Sequence, residues 1–260
     1  MFGRFLRRRE PPLFTILLPI HRPPDLLPFA LESVRTQSEQ RFELFILCDG
    51  APDETVAEAR RLARQDRRIS VRAFPKGARH GEAHRDTILR EESRGAMICQ
   101  IADDDLWFPD HLEEMAKLLA NADFGNLIQV QVGTRGRFEA LRDDLALPET
   151  RERMLTEKYN FFGPTTCGYR RSAYDRLEPG WSPAPEDIWT DLYMWRKFLR
   201  RDDIRMATRH QPGALCFPTP QRRAWPMAKR CAENREYLAR LRDSASLHAL
   251  RTEIDSNRKA

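Results

Sequence analysis

The sequence predicts an α/β fold built on a mostly parallel sheet with helices on both faces, and three observations carry that expectation. Short apolar runs, Leu13–Ile20, Phe42–Cys48, Ile69–Phe74 and Gly95–Ile101, alternate with stretches whose apolar residues recur at helical spacing. The runs break off at polar residues: His21-Arg22-Pro23-Pro24, Asp49-Gly50-Ala51-Pro52-Asp53 and Asp103-Asp104-Asp105. Strand–helix units in succession imply right-handed crossovers, so those polar ends fall along one edge of the sheet. Open α/β sheets bind their ligands at that edge.

Taken in order, Leu13–Ile20 reads as a doubly buried parallel strand, and Leu27, Ala30, Leu31 and Val34 mark the inner face of a first helix. Phe42–Cys48 is a second strand. Asp53 is the expected N-cap of a helix that turns Val56, Ala59, Leu62 and Ala63 inward. Ile69–Phe74 is a third strand, followed by the polar loop Lys76–Gly81 and a helix through Arg94. The fourth strand delivers Asp103, Asp104 and Asp105, and a helix expected from Pro109 buries Leu112, Met115, Ala116 and Leu119. Asn126–Val132 is a further strand. Gly133–Glu149 is long and charged with no clear period, as a mobile loop would be. Asn160–Tyr174 and Pro179–Pro185 are turn-rich. A helix from about Ile188 to Leu199, a strand at Ala214–Phe217 and a charged helical stretch from Trp225 close the chain.

Length and composition set bounds. With 260 residues and 41% hydrophobic residues the chain can bury a sizeable core as one large domain with a small appendage. No apolar run approaches the length of a membrane span. The opening MFGRFLRRRE has no apolar h-region and is not expected to act as a signal peptide. Its Phe2, Phe5 and Leu6 among Arg4, Arg7, Arg8 and Arg9 suit either peripheral contact with an anionic membrane surface or a solvated tail. The five cysteines are widely spaced, with no pair at CxxC spacing. Zinc and disulfide frameworks are therefore not expected, and Cys48 and Cys99 read as buried small hydrophobes in a reducing, cytoplasmic compartment. The net charge of +5 is spread over short arginine pairs rather than one stripe, so nucleic acid is not the expected partner.

The chemistry concentrates in Gly95–Leu112. Three adjacent carboxylates repel one another unless water or a cation neutralises them. Hard oxygen ligands at one point suggest Mg2+ or Mn2+ carrying a phosphate. The competing reading is a solvated acidic turn that caps the next helix. His80-Gly81-Glu82-Ala83-His84 is not a zinc-protease motif, because Glu82 stands at the wrong offset.

With these residues assembled, the chain resembles the family 2 glycosyltransferases, inverting nucleotide-sugar enzymes of the Rossmann-like GT-A fold. TILLPIHRPPDLLPFALESVRTQ is similar to the family's opening strand, its P-T-x-N-R turn and its L-x-S-x-x-x-Q helix. FELFILCDGAPDET resembles its second strand with D-D-G-S-x-D, and GAMICQIADDDLWFPDHLEEM its Asp-x-Asp strand and the helix after it. The three agree in order and spacing over about residues 13–120, and more weakly to about 200. His21 stands for the usual Asn, Cys48 for the first Asp of D-D-G-S, and Ala102 for the first Asp of D-x-D-D.

The resemblance implies roles. Pro19, Ile20, His21, Arg22 and Asp49 would hold base and ribose, and Arg85 would face the diphosphate. Asp103 would take the ribose contact, and Asp104 the metal, Mn2+ or Mg2+, with Asp105 beside it as an alternative. PEDIWTDLYMW corresponds to the family's E-D-x-x-L-W-x-R, with the base at a helix start; Asp191 is favoured and Asp187 comes second. Helix N-terminal charge competes as an explanation for either, most seriously for Asp187. Trp181, Trp189, Tyr169 and Phe162 would furnish a stacking wall for an acceptor sugar, and Arg170, Arg171, Arg222 and Arg223 would meet phosphates, with core packing and solvated surface as the competing explanations.

The implied organisation is a basic tail (1–12), one GT-A-like domain (13–220) and a C-terminal helical extension (221–260). Within the domain, 13–125 is the nucleotide-sugar half and 126–220 the acceptor half. The implied activity is metal-dependent transfer of a sugar from a nucleotide-diphosphate donor to a glycan or lipid-linked glycan acceptor, in surface polysaccharide or glycoconjugate assembly. Two other readings compete. A sugar-phosphate nucleotidyltransferase should carry a Gly-rich loop after the first strand, and Ile20–Pro24 has no Gly. A non-catalytic nucleotide- or polyanion-binding module on a decayed transferase would account for Ala102 and His21.

Overall fold

The first strand is buried on both faces, and its period-two alternation decides how the layers form. In β1 (Phe14–Ile20), Phe14, Ile16, Leu18 and Ile20 pack on one face of the sheet and Leu17 on the other. The computed structural model describes residues 11–256. The Phe2–Arg9 stretch weighed above for membrane contact lies outside them.

β1 pairs in parallel with β2 (Phe42–Asp49) and β4 (Met97–Gln100), and β2 pairs in parallel with β3 (Ile69–Phe74). The four strands carry the expected half of the sheet, and their C-terminal ends share one edge. Beyond β4 the sheet turns mixed. β8 (Cys167–Arg170) runs antiparallel to both β4 and β6 (Phe124–Val132). β9 (Met206–Cys216) runs parallel to β6 across a register shift at Leu127–Gln129, and β5 (Leu106–Trp107) pairs antiparallel with β9. With β7 (Phe138–Leu141) on β6, these make one nine-stranded sheet of the described residues, in the order β3-β2-β1-β4-β8-β6-β9-β5.

Helices cover both faces. On one, α1 (Leu27–Arg35), α2 (Asp53–Ala63) and α4 (His111–Asn121) bury Leu31, Val34, Ala59, Leu62, Leu112 and Met115 against β1 and β2. On the other lie α3 (Glu82–Thr87), continued by one turn of π-helix at Ile88–Glu92, then α5 (Pro148–Thr156), the short α6 (Arg171–Tyr174) and α7 (Thr190–Leu199). Their Ile88, Leu89, Met154, Leu192, Trp195 and Phe198 meet Leu17, Phe45 and Leu47. After α8 (Thr219–Arg222), helices α9 (Met227–Arg242) and α10 (Ser244–Ser256) close a third core with Tyr237, Leu241, Leu250 and Ile254 against Phe108, Ile128, Val130 and Phe217. Each of these cores is apolar area removed from water, at about 25 cal/mol per Å2.

Several sequence expectations are corrected. Asp53 is the first helical residue, Pro52 occupies the N-cap position, and no side chain caps α2. The helix expected from Pro109 starts at His111, after a turn through Pro109 and Asp110. Gly133–Glu149 is no structureless loop. It holds β7, whose backbone groups are satisfied by β6, and the first two residues of α5. The strand expected at Ala214–Phe217 starts at Met206, because pairing with β6 recruits the polar residues before it. Cys48 and Cys99 are buried free thiols, as expected. Among the described residues no helix is long and apolar enough to cross a membrane.

Candidate active site

A cleft of about 550 Å3 opens at the C-terminal edge of β1, β2 and β4. Pro19, Ile20, His21 and Arg22 line it from the end of β1, Asp49 from β2, Asp103 from beyond β4, Arg85 from α3 and Asp191 from α7. The topology thus brings together residues that the sequence spreads over more than 170 positions. Asp187 is exposed and does not line the cleft, whereas its neighbours Glu186 and Ile188 do. Asp104 and Asp105 lie behind the lining.

Asp49 is held from three sides. Its carboxylate accepts from Lys76 Nζ and, at 2.6 Å, from the Gly77 N–H, and His84 Nε2 stands 3.5 Å away. Burial opposes its charge, but Gly77, Lys76 and His84 together keep the carboxyl below its usual range. Gly81 permits this packing. Its φ is +70°, and a Cβ there would come within 2.7 Å of Asp49 Oδ2.

Arg85 carries its guanidinium into the cleft from α3. One Nη donates to the His80 carbonyl at 2.9 Å, the group lies 4.9 Å over the Trp181 ring, and its buried Nε has no partner. Burial lowers its proton affinity, partly offset by Glu82. A buried guanidinium with a donor to spare is an anion-binding group.

Asp191 sits in the first turn of α7. Its Oδ2 accepts from Asn160 Nδ2 at 2.9 Å and its Oδ1 from the Leu192 N–H at 2.8 Å. Desolvation raises its pKa above the usual carboxylate value, and the hydrogen bonds and His80 only partly offset this. Glu82, buried and missed in the sequence reading, braces the helix start. It accepts from Thr190 Oγ1 at 2.8 Å and from the His80 N–H at 3.0 Å. Its signal was an acidic residue opening a helix directly after a glycine.

The three consecutive carboxylates are fully engaged. Asp103 receives Arg22 in fork geometry, Nε and Nη2 each at 2.7 Å, and Arg22 Nη2 also lies 2.7 Å from Asp104 Oδ1. Asp104 Oδ2 accepts from Thr219 Oγ1 and Arg230 Nη2, both at 3.1 Å. Asp105 accepts from Thr165 Oγ1 at 2.6 Å and from the Phe217 N–H at 3.1 Å. Burial and the Asp104 charge push the Asp105 carboxyl up to about 7. Burial also raises Asp103, against the pull of Arg22. Arg22 itself stays charged, because Asp103 and Asp104 more than offset its desolvation.

The metal expected on Asp104 and Asp105 meets a donor set that does not suit it. All six carboxylate oxygens face protein donors, and two of those donors are cations. Among the described residues no group of three His, Cys, Asp or Glu is placed to hold a metal ion. A catalytic divalent cation is held by one or two carboxylates together with substrate phosphates and water, and here each of those carboxylate oxygens is already taken by a donor of the protein.

Other expectations are revised. Tyr169 and Phe162 are packed into the core, whereas Trp181, nearly as buried, lines the cleft beneath Arg85 and donates from Nε1 to the Tyr169 hydroxyl at 2.9 Å. Of the expected stacking wall, Trp189 alone is open to solvent, 48% exposed at the cleft mouth. Arg170 and Arg171 donate to backbone carbonyls of Ala120, Ala122, Gly95 and Leu89, and buried Arg222 pairs with Glu233. These three bind the fold together, and Arg223 does not line the cleft. Arg79, His80, Gln100 and Thr165 line it without having been singled out as binding residues.

Comparison with known proteins agrees with this geometry. The model of the family described as "Glycosyl transferase family 2" matches residues 15–178. The uncharacterized protein y4gI of Sinorhizobium fredii is 35% identical over 108 residues, which is 41% of this chain and 12% of that protein. S. aureus TarS 1–349, solved in complex with UDP-GlcNAc, superposes with a TM-score of 0.61 at 15% identity, covering 79% of this chain and 58% of TarS 1–349. The mannosyltransferase PcManGT of Pyrobaculum calidifontis, in complex with GDP-Man and Mn2+, gives 0.57 at 17% identity, covering 83% and 59%. This chain therefore spans under two thirds of each of these relatives. At such identities the structural likeness establishes the GT-A fold. The strand-end cleft and the family match over most of the chain lead to one assignment: the chain belongs to glycosyl transferase family 2.

Proposed function

We propose that the chain transfers a sugar from a nucleoside-diphosphate donor to an acceptor hydroxyl with inversion, Asp191 acting as the base. The observation that carries this reading is the pairing, in one cleft, of a half-buried carboxylate of raised proton affinity with a buried guanidinium that has a donor to spare. Asp191 and Arg85 supply the two things an in-line displacement needs, a proton acceptor for the incoming hydroxyl and positive charge for the departing diphosphate.

The base and ribose of the donor lie against Pro19, Ile20, His21, Asp49 and Asp103, and the diphosphate faces Arg22 and Arg85. The acceptor oxygen attacks the anomeric carbon as the bond to the diphosphate oxygen breaks. Its proton passes to an oxygen of Asp191, and the nucleoside diphosphate departs as an anion. Asn160 and the Leu192 N–H aim that carboxylate. A glycan or lipid-linked glycan acceptor enters past Trp189, consistent with a role in polysaccharide or glycoconjugate assembly. The structural neighbours, solved in complex with UDP-GlcNAc and with GDP-Man, support the donor class.

The test is a panel of UDP-, GDP-, dTDP- and CMP-sugars, with nucleotide release followed chromatographically and binding followed by thermal shift. Stabilisation by one nucleotide class and release of its nucleotide on adding a glycan acceptor are expected. Absence of any nucleotide-dependent shift would remove the proposal.

A further inference from the structure

Two of the donors that occupy the carboxylate cluster are guanidinium groups, which stay charged at every pH at which proteins fold. Arg22 and Arg230 bring two positive charges to Asp103 and Asp104, which bring two negative ones when ionised. Asp103 and Asp104 are thus balanced by the protein alone, and Asp105 is held by neutral donors. A divalent cation entering it would have to strip the fork of Arg22 from Asp103 and Asp104. It would then lie close to Arg230, a buried cation that repels it.

Arg230 is not part of the stretch that matches the family, which ends at 178. It is delivered by α9, and α9 is fastened at that place by the ion pair of Arg222 with Glu233, where the Arg222 side chain is wholly buried. Thr219, from α8, adds a hydroxyl to the same Asp104 oxygen that Arg230 contacts. The C-terminal part of the chain therefore neutralises Asp104 from behind, while Arg22 lines the cleft from in front.

We propose that guanidinium groups take the place of a divalent cation at this site: Arg230 neutralises Asp104, Arg22 and Arg85 receive the donor diphosphate, and nucleotide binding needs no metal. The inference rests on the donor-binding reading above and deepens it. A guanidinium binds phosphate oxygens as well as carboxylate oxygens, and Arg22 can offer the diphosphate its Nη1, held only by Thr219 Oγ1 at 3.5 Å, while Nε and Nη2 stay on Asp103 and Asp104. Arg85 enters with its Nε free, and Arg230 has a buried Nε that is likewise unpartnered.

Isothermal titration of the full chain with UDP and with GDP, in EDTA and again in Mn2+, is the test. The affinity for the bound nucleotide is expected to change by less than about twofold between the two conditions, and MnCl2 alone should give no binding signal by electron paramagnetic resonance. Asp104→Asn is expected to retain or tighten nucleotide binding, since it frees guanidinium. Arg230→Gln should weaken binding in EDTA by about tenfold and make it respond to Mn2+, because an unneutralised Asp104 then faces the diphosphate. Binding that EDTA abolishes and Mn2+ restores would overturn this inference alone. So would loss of binding in an Asp104→Asn protein with native circular dichroism. Absence of nucleotide binding in both conditions would overturn the donor-binding reading and this inference with it.

Discussion

Asn160 Nδ2 donates to Asp191 Oδ2 at 2.9 Å, linking the turn-rich segment before β8 to the first turn of α7. The contact orients a carboxylate that burial has made more basic, and it stabilises the charged form that a base must have. Asp191→Asn should leave donor affinity intact and lower the transfer rate by about 10^2- to 10^4-fold, measured by single-turnover kinetics beside calorimetry. Equal transfer in variant and parent would give the role to another group.

The same pair sets a pH dependence. Transfer needs Asp191 ionised, and its pKa is raised, so activity should increase with pH through a point above the usual carboxylate range. Asn160→Ala removes a hydrogen bond to the charged form and should move that limb to still higher pH. A limb that stays in place would show that it belongs to a different residue.

Trp189 is 48% exposed at the mouth of the cleft, two residues before Asp191, and Lys158 lies over its ring at 5.5 Å. Trp189→Ala should leave the melting temperature and the donor KM unchanged. It should raise the acceptor KM about three- to tenfold, the loss of one stacking contact of about 1 kcal/mol, with Trp189→Phe recovering part of it.

Gly81→Ala asks a side-chain-bearing residue to hold φ +70° and drives its Cβ against Asp49. The cost should be about 1–3 kcal/mol in chemical denaturation, accompanied by weaker nucleotide binding because Asp49 is displaced. A variant of parental stability would show that the α3 loop gives way easily.

His111 tests the fold away from the cleft. Its Nδ1 donates to the Gly213 carbonyl at 2.8 Å, its ring stacks on Trp107 at 4.0 Å, and its buried Nε2 has no partner. Burial lowers its pKa to about 3, with the Gly213 bond opposing the shift. The unfolded chain therefore takes up a proton below about pH 6.5 that the folded protein refuses until about pH 3. Stability falls with pH across that window, by about 2 kcal/mol at pH 5 from this residue. His111→Phe should flatten that part of the profile, read from denaturation midpoints at pH 7 and pH 5.

The first half of the fold was legible because β1 and β2 are doubly buried and α1, α2 and α4 each carry a single apolar stripe, as in Phe14–Ile20 and Leu27–Val34. The second half was not. β7 includes Glu139 and leads into Arg142 on a partly open strand, so its alternation is masked by charge, and the start of β9 takes its conformation from β6 rather than from its own residues. The cleft residues at strand ends were visible as abrupt polar stops. What surrounds the acidic triplet was not, because Thr165, Thr219 and Arg230 come from 60, 115 and 126 positions away. No local pattern in an α9 sequence distinguishes a solvated arginine from one that reaches a distant carboxylate.

The packing of α9 and α10 also decides where the chain tolerates being cut. Phe108, Ile128, Val130 and Phe217 lie under Tyr237, Leu241, Leu250 and Ile254. Shortening the gene to the 178 residues where the family match ends, or to the last strand at Cys216, would uncover that oily patch beside β5, a two-residue edge strand. Such a trimmed protein should come out of cells as inclusion bodies rather than as a smaller working enzyme, so anyone grafting this fold onto another protein must carry the tail along.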